Sequence, residues 1–365
     1  MTIPLASFPP TLCHLPPPAS DVTKIGIIGN GEVVHTRLWP ALQSISAPIE
    51  ALVVCSLEPE SGLEGLPHRY YQVERDNLLP LDALCEQGFL GQDTLWIVAT
   101  PPVAHVSYVA DLAGWCRVGV EKPLAANGRQ AQRLRPFATG FGVYCLSHKV
   151  FNVSVLAFLE ACQSNPSILH RVHHIEGVFY ETAGLSHGRQ QEDGIIDVQW
   201  HLFATALVAP FKAASRSPFD VTVERVRVAT HEPDPHRRCA RPTAWTASRV
   251  QGKLVWHGQV VTYDNRQAKG APTTIKRVRF FDRTGTLLST LDLNETGHQA
   301  HARMLQALLQ PVVDMRLTLA DALGMMELID ASREMVQEEP SYAFGDLPGF
   351  LAAGTVRSSV LPPAA

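Results

Sequence analysis

The sequence predicts an α/β protein in two parts: an N-terminal Rossmann-type doubly wound parallel sheet, then a C-terminal α+β domain with a large, mostly antiparallel open-faced sheet. Three observations carry this. Short apolar runs alternate with helical patterns from residue 23 to about 147. The first of these runs ends in a glycine turn, Gly29-Asn30-Gly31, directly ahead of a helical pattern. Beyond about residue 150 the pattern changes to long strand-like stretches.

In chain order, residues 1–22 contain six prolines and read as a flexible arm, because no basic segment precedes an apolar core as in a signal peptide. Residues 23–147 form the first domain, with strands expected near Lys24–Ile28, Ala51–Cys55, Leu95–Ala99, Arg117–Val120 and Gly142–Cys145. Pro101 and Pro102 stop the third of these, and a helix restarts around His105 to Leu112. Residues 148–350 form the second domain, which opens with a helix around Val153 to Ala161. Its strands are expected at Val172–Thr182, Val221–Thr230, Thr246–Val250, Leu254–Tyr263, Thr274–Phe281 and Leu287–Leu291. Asp282-Arg283-Thr284-Gly285 is a turn between the last two. A helical pair follows from His298 to Val336, and residues 351–365 are a tail. The connection Ser186–Asp193 leads into a helix around Asp197, and His231–Pro242 is a second turn-rich loop.

Composition narrows the function. The 365 residues are 45% hydrophobic and 18% charged, with a net charge of −4, which suits two soluble globular domains. No basic block supplies an electrostatic footprint for nucleic acid, and no apolar run approaches the roughly 18 to 20 residues that span a membrane. A small-molecule partner is expected. Seven cysteines without paired spacing read as buried thiols in a reducing cytoplasm. His231, His236 and Cys239 fit no common zinc spacing, so no metal site is expected.

The motifs point to a dinucleotide. Gly29 permits a tight turn, and Gly31 lets backbone approach a pyrophosphate whose charge meets the amides of the following helix. Val34 stands where a third glycine is usual. The ribose-reading position at the end of the second strand is Ser56 rather than an acid. No Lys or Arg occurs from Leu57 to His68, while Glu58, Glu60 and Glu64 do, so the field opposes a 2′-phosphate and favours NAD weakly over NADP.

Two further segments carry chemistry. Glu121-Lys122-Pro123 places a lysine at a strand tip, where Pro123 keeps Lys122 extended and its ammonium projecting beyond the strand. Asp197 and His201 are spaced by one helical turn and share a face of a mostly apolar helix. A carboxylate and an imidazole on such an element need partners or a wet cleft. A satisfied Asp/His pair in a core is the bland alternative; with a lysine beside a nicotinamide, the three form an acid/base set.

Taken in order, Gly29-Asn30-Gly31 with Trp39-Pro40-Ala41-Leu42, Ala99-Thr100-Pro101-Pro102 with His105, Glu121-Lys122-Pro123-Leu124, and Asp197 with His201 resemble the glucose-fructose oxidoreductase, inositol dehydrogenase and rhizopine-catabolism superfamily. The resemblance covers nearly the whole chain. It implies an NAD(P)-dependent dehydrogenase or reductase acting on a secondary alcohol or ketone of a sugar, cyclitol or related polyol. It also implies cofactor contacts from Gly29, Asn30, Gly31, Glu32, Val33, Ser56, Thr100, Pro101, His105, Glu121 and Lys122, and catalysis by Lys122, Asp197 and His201. Lys122 and His201 compete for the role of proton acceptor, with His201 favoured. Alternatives on the same fold are an NAD-dependent glycoside hydrolase and a non-catalytic regulator that senses dinucleotide or sugar. Many relatives pair through the second sheet, so a homodimer or homotetramer is expected, with a sheet face apolar enough to adhere.

Overall fold

The computed structural model describes residues 21–74, 80–140, 142–182, 199–217, 219–231, 247–269, 271–295, 298–311, 313 and 316–338. Asp197, the arm up to residue 20, the 186–193 connection, residues 232–242 and the tail lie outside the described residues. The chain divides into two compact units. One comprises the residues up to Val153 together with Glu295–Met326; the other comprises Ser154–Asn294 and the residues from Glu327 onward.

The first unit is built on a parallel sheet of six strands, β1 (Lys24–Ile28), β2 (Ala51–Ser56), β3 (Arg69–Gln72), β4 (Thr94–Val98), β5 (Arg117–Glu121) and β6 (Val143–Leu146), in the order β3-β2-β1-β4-β5-β6. This is the strand order of a dinucleotide-binding sheet that reverses direction between β1 and β4. Strands covered on both faces are apolar except where a polar side chain finds a partner, and every residue of β4 and β5, the terminal Arg117 and Glu121 included, is buried. Packing is close enough to dictate Gly26, because a Cβ there would stand 2.3 Å from the Trp96 ring. The edge strand β3 was not expected from its sequence. Its Arg-Tyr-Tyr-Gln has none of the apolar continuity of the central strands, and both of its end residues are exposed.

Residues 295–326 belong to this unit for identifiable reasons. Arg117, fully buried at the start of β5, donates to the carbonyl oxygens of Leu308 and, at 2.8 Å, of Gln310. It thereby satisfies the C-terminal end of helix Gln299–Leu309, whose last carbonyls have no partner within the helix. Arg303 and Asn152 both reach the Glu295 carboxylate, the latter at 3.1 Å. Helix Leu319–Glu334 is opened by a reciprocal cap in which the Thr318 amide donates to Asp321 (2.7 Å) and the Asp321 amide to Thr318 Oγ1 (3.2 Å).

Two helices widen into π turns, Val34–Leu38 and Phe203–Val208, and each is followed within two residues by a proline, Pro40 and Pro210. Proline has no amide to continue the ladder and its ring crowds the carbonyl four residues back. A locally wider turn absorbs both defects; Trp39 N–H accordingly reaches back to Val34 O.

The second unit carries a seven-stranded mixed sheet of β7 (His174–Glu181), β8 (Val221–His231), β9 (Ala247–Trp256), β10 (Gln259–Lys269), β11 (Ile275–Phe281), β12 (Leu287–Asp292) and β13 (Val336–Glu338). The order is β12-β11-β7-β10-β9-β8-β13, with only β7–β10 and β8–β13 parallel. The sequence expectation of a strand running through Leu254–Tyr263 is corrected here: the chain reverses at His257-Gly258, and Trp256 pairs with Gln259. Both turn residues have positive φ, 48° and 76°, as a two-residue hairpin requires. Histidine tolerates that conformation, but it gives a weaker signal than Asn-Gly would.

Side chains of β7 alternate. Ile175, Gly177 and Phe179 face the packed side, while Glu176 faces the other. That other face is not the apolar, adhesive surface expected. It holds a ladder of charges in which Asp264 takes Arg249 (3.0 and 2.7 Å) and Arg266 (2.6 Å), and Glu176 takes Arg279 (2.6 Å). Burial pushes the Asp264 carboxyl upward, but hydrogen bonds and charge from Arg249 and Arg266 override it and hold the group below the usual carboxylate range.

Candidate active site

Because all six strands of the first sheet are parallel, their C-terminal ends line one edge, the edge where α/β sheets bind ligands. The turn after β1 is fixed from both sides. Gly29 N donates to Cys55 O at 2.8 Å, and Ala99 N donates to Ile28 O at 2.9 Å. Gly29 has φ +103°, and a Cβ on it would lie 2.6 Å from the Ala99 carbonyl oxygen, so only glycine fits. Gly31 differs: it is exposed, and a Cβ there would meet nothing within 4 Å. The helical ladder begins with Val34 N and His35 N on Gly31 O, which puts the amides of Gly31, Glu32 and Val33 ahead of it. An open surface beside leading helix amides is what a pyrophosphate needs, and the residues present fit a dinucleotide.

Buried polar atoms run along the same edge. Asn30 Oδ1 after β1, Thr100 Oγ1 after β4 and Ser147 Oγ after β6 are buried with no hydrogen-bond partner among the described residues. Such atoms are uncommon in folded proteins, and each calls for a reason; here three occur at strand ends that converge on one edge.

At the far end of the edge, Ser56 is buried and its Oγ accepts from Glu58 N at 3.2 Å. Tyr70 of β3 lies beside it and donates to Glu58 O at 2.6 Å. Burial is the main cause that raises the Tyr70 phenol; hydrogen bonds from Ser56 and Asn30 oppose it, and the charges of Glu60 and Glu58 add to the rise. The acids anticipated after Ser56 therefore act on this spot. Tyr70 escaped the sequence reading because β3 did.

His105 is fully buried, with Nε2 2.8 Å from Thr100 O and Nδ1 3.2 Å from Leu124 O. Burial holds its imidazole below the ordinary value despite these carbonyls. A neutral imidazole donates to one of these two carbonyls, and its effect on a ligand passes through the backbone it lies between: the β4 turn carrying Thr100 and Pro101 and the segment following Lys122. Glu121 is buried at the end of β5, and its Oε2 accepts from the Lys122 amide at 3.2 Å. Lys122 is half-buried, and the Lys122–Pro123 peptide is cis.

In the second unit, His201 lies on helix 199–213, half-buried, with its ring centre 5.7 Å from that of Phe179 on β7. Its carbonyl accepts from Thr205 Oγ1 at 2.8 Å. Neighbouring Gln199, fully buried, donates to the Tyr263 hydroxyl at 2.8 Å. Asp197, one turn earlier, is outside the described residues.

The described cysteines are free. Burial pushes the thiols of Cys55 and Cys116 up to about 12 and that of Cys162 to about 11, whereas Cys85 is exposed. Among the described residues no group of three or more His, Cys, Asp or Glu could hold a metal, and no helix is long and apolar enough to cross a membrane.

The fold defines a class: a Rossmann-type dinucleotide sheet joined to a mixed-sheet α+β unit. No family model and no curated protein matches the sequence. Solved structures do match. KijD10, a 3-ketoreductase from Actinomadura kijaniata in complex with NADP and TDP-benzene, shares 15% identity, covering 88% of this chain and 100% of its own, with a TM-score of 0.60. GenD2 from gentamicin A biosynthesis, in complex with NAD, shares 16% identity over 87% of this chain and 95% of its own, with a TM-score of 0.61. Glucose-6-phosphate 1-dehydrogenase from Mycobacterium avium shares 13% identity over 89% and 95%, with a TM-score of 0.63. At these identities the likeness is one of fold.

Proposed function

We propose that this chain is an NAD(P)-dependent oxidoreductase of the glucose-fructose oxidoreductase, inositol dehydrogenase and rhizopine-catabolism superfamily, interconverting a secondary alcohol and a ketone on a sugar or polyol. The observation that carries the reading is the edge itself: an open glycine turn ahead of a helix, followed by buried polar atoms at the ends of β1, β4 and β6 that have no partner among the described residues. Structures of the same fold crystallised with NADP or NAD support it. The weak lean to NAD rests on Glu58 and Glu60 acting at Tyr70 and Ser56.

When bound, the nicotinamide supplies or accepts the hydride. The chain must move the accompanying proton, and a side chain placed to do so contributes roughly 10² to 10⁴-fold. His201 is the proposed acceptor, with Asp197 orienting or charge-balancing it. Lys122 is proposed to hold the substrate oxygen and stabilise developing alkoxide charge. Thr100, Asn30 and Ser56 offer hydrogen bonds to the cofactor, and the backbone from Gly29 to Val33 accommodates its phosphates. Titration with NAD and with NADP tests this reading directly.

We also propose a homodimer or homotetramer paired through the second sheet. Because the charged face of that sheet carries alternating Arg and acidic groups, association through it should weaken with salt. Light scattering at rising ionic strength reads this; a strict monomer of 40.0 kDa at high concentration and low salt would contradict it.

A further inference from the structure

His201 sits in the first turn of helix 199–213, and one residue of the second sheet holds that turn on both sides of it. Two positions earlier, Gln199 Nε2 donates to the Tyr263 hydroxyl at 2.8 Å. Two positions later, Phe203 meets the Tyr263 ring edge to face, with centres 5.6 Å apart and planes at 81°. Tyr263 is itself confined. Its register partner across the β9–β10 hairpin is Gly252, and a Cβ there would stand 2.2 Å from the Tyr263 ring, so only glycine leaves the ring its place.

The Tyr263 hydroxyl belongs to a buried chain of hydrogen bonds that runs in one direction. Gln199, Tyr263 and Ser332 are all buried, and all belong to the second unit. Ser332 Oγ, on helix Leu319–Glu334, donates to Leu328 O at 2.8 Å and is also hydrogen-bonded to the Tyr263 side chain. A serine hydroxyl has one hydrogen to give, so its oxygen accepts from Tyr263, and Tyr263 in turn accepts from Gln199. Burial raises the Tyr263 phenol against the opposing hydrogen bonds of Ser332 and Gln199, which keeps the proton of this middle donor in place. The chain therefore fixes which way the Gln199 amide faces, and it ends on a helical carbonyl of a second element. Beside it, the His201 ring stacks near Phe179 of β7.

We propose that Tyr263 is a positioning residue for the acid/base step: by holding Gln199 and Phe203, one helical turn apart, it fixes the rotation of the first turn of helix 199–213 and so aims the His201 imidazole. The catalytic weight of that aim rests on the proposed role of His201, since a misplacement of about 1 Å near the chemistry can cost roughly 100-fold in rate. The hydrogen-bonded chain stands without it.

The test reads the His201 ring directly, in the full chain labelled with ¹⁵N-histidine, with the His201 signals identified by their loss in His201→Ala. Tyr263→Phe keeps the ring, its contact with Phe203 and its place against Gly252, and removes only the hydroxyl. The His201 ring resonances should move and their titration curve should be displaced along the pH axis, while the signals of His105 in the first unit stay where they are. Tyr263→Phe also leaves the Gln199 amide with a buried donor unpaired, so its urea midpoint should fall. Combining it with Gln199→Leu removes both polar partners and should restore most of that midpoint, because the loss of a whole pair is nearly neutral. The His201 signals should remain displaced in the double variant, which a merely structural hydroxyl would not produce. His201 signals unchanged in Tyr263→Phe, or signals that return to their parental positions together with the stability, would overturn the proposal. No dinucleotide or substrate enters these measurements, so their outcome is read apart from that of the NAD titration.

Discussion

Gly31→Val is expected to weaken dinucleotide binding at least about 100-fold, equivalent to roughly 2.7 kcal/mol, while changing folding stability by no more than about 0.5 kcal/mol. The asymmetry follows from the surroundings. A Cβ at Gly31 meets nothing within 4 Å and the residue is exposed, so the folded chain accommodates valine. The same space is where the proposed pyrophosphate approaches the backbone, and a side chain there keeps it out. Gly29→Val is the contrasting control. Its φ of +103° and the 2.6 Å approach of a Cβ to Ala99 O should cost stability as well as binding. Urea midpoints paired with NAD titration separate the two cases; Gly31→Val that binds like the parent would remove the cradle from the account.

The second large effect concerns turnover. His201→Ala is expected to lower kcat by roughly two to four orders of magnitude, the usual contribution of a positioned acid/base, with dinucleotide affinity almost intact. Lys122→Ala should also lower kcat, because an ammonium aimed at developing alkoxide acts mainly in the transition state. If Asp197 acts through the imidazole, Asp197→Asn combined with His201→Ala should cost less than the product of the single losses. Near-parental turnover in both the Lys122 and His201 variants on the true substrate would mean that the chemistry lies elsewhere.

Much of the fold was legible because strong local signals agree with the tertiary context. Strands β1, β4 and β5 are buried on both faces, and a continuous apolar run is what such strands require. The glycine turn was legible because Gly29 has no substitute at its φ and its contact. The losses have physical causes too. Strand β3 sits at an edge and is polar, so nothing in Arg69–Gln72 distinguishes it from a loop, and Tyr70 beside Ser56 was lost with it. The His257-Gly258 reversal was hidden inside an apolar run that reads equally well as one strand. Pairings distant in sequence were out of reach. Nothing local says that Arg117 reaches helix Gln299–Leu309, or that His148 stacks on His301. The sheet face was misjudged because alternation reveals which residues share a face but not that Arg249, Asp264, Arg266 and Glu176 form one ladder on it.

Calorimetric titration of the intact chain with NAD and, separately, with NADP tests the central claim most directly. The account predicts saturable binding of both, modestly tighter for NAD because Glu58 and Glu60 oppose a 2′-phosphate near Tyr70. Clearly tighter binding of NADP would contradict the assignment of those acids, and no binding of either dinucleotide would contradict the proposed function as a whole.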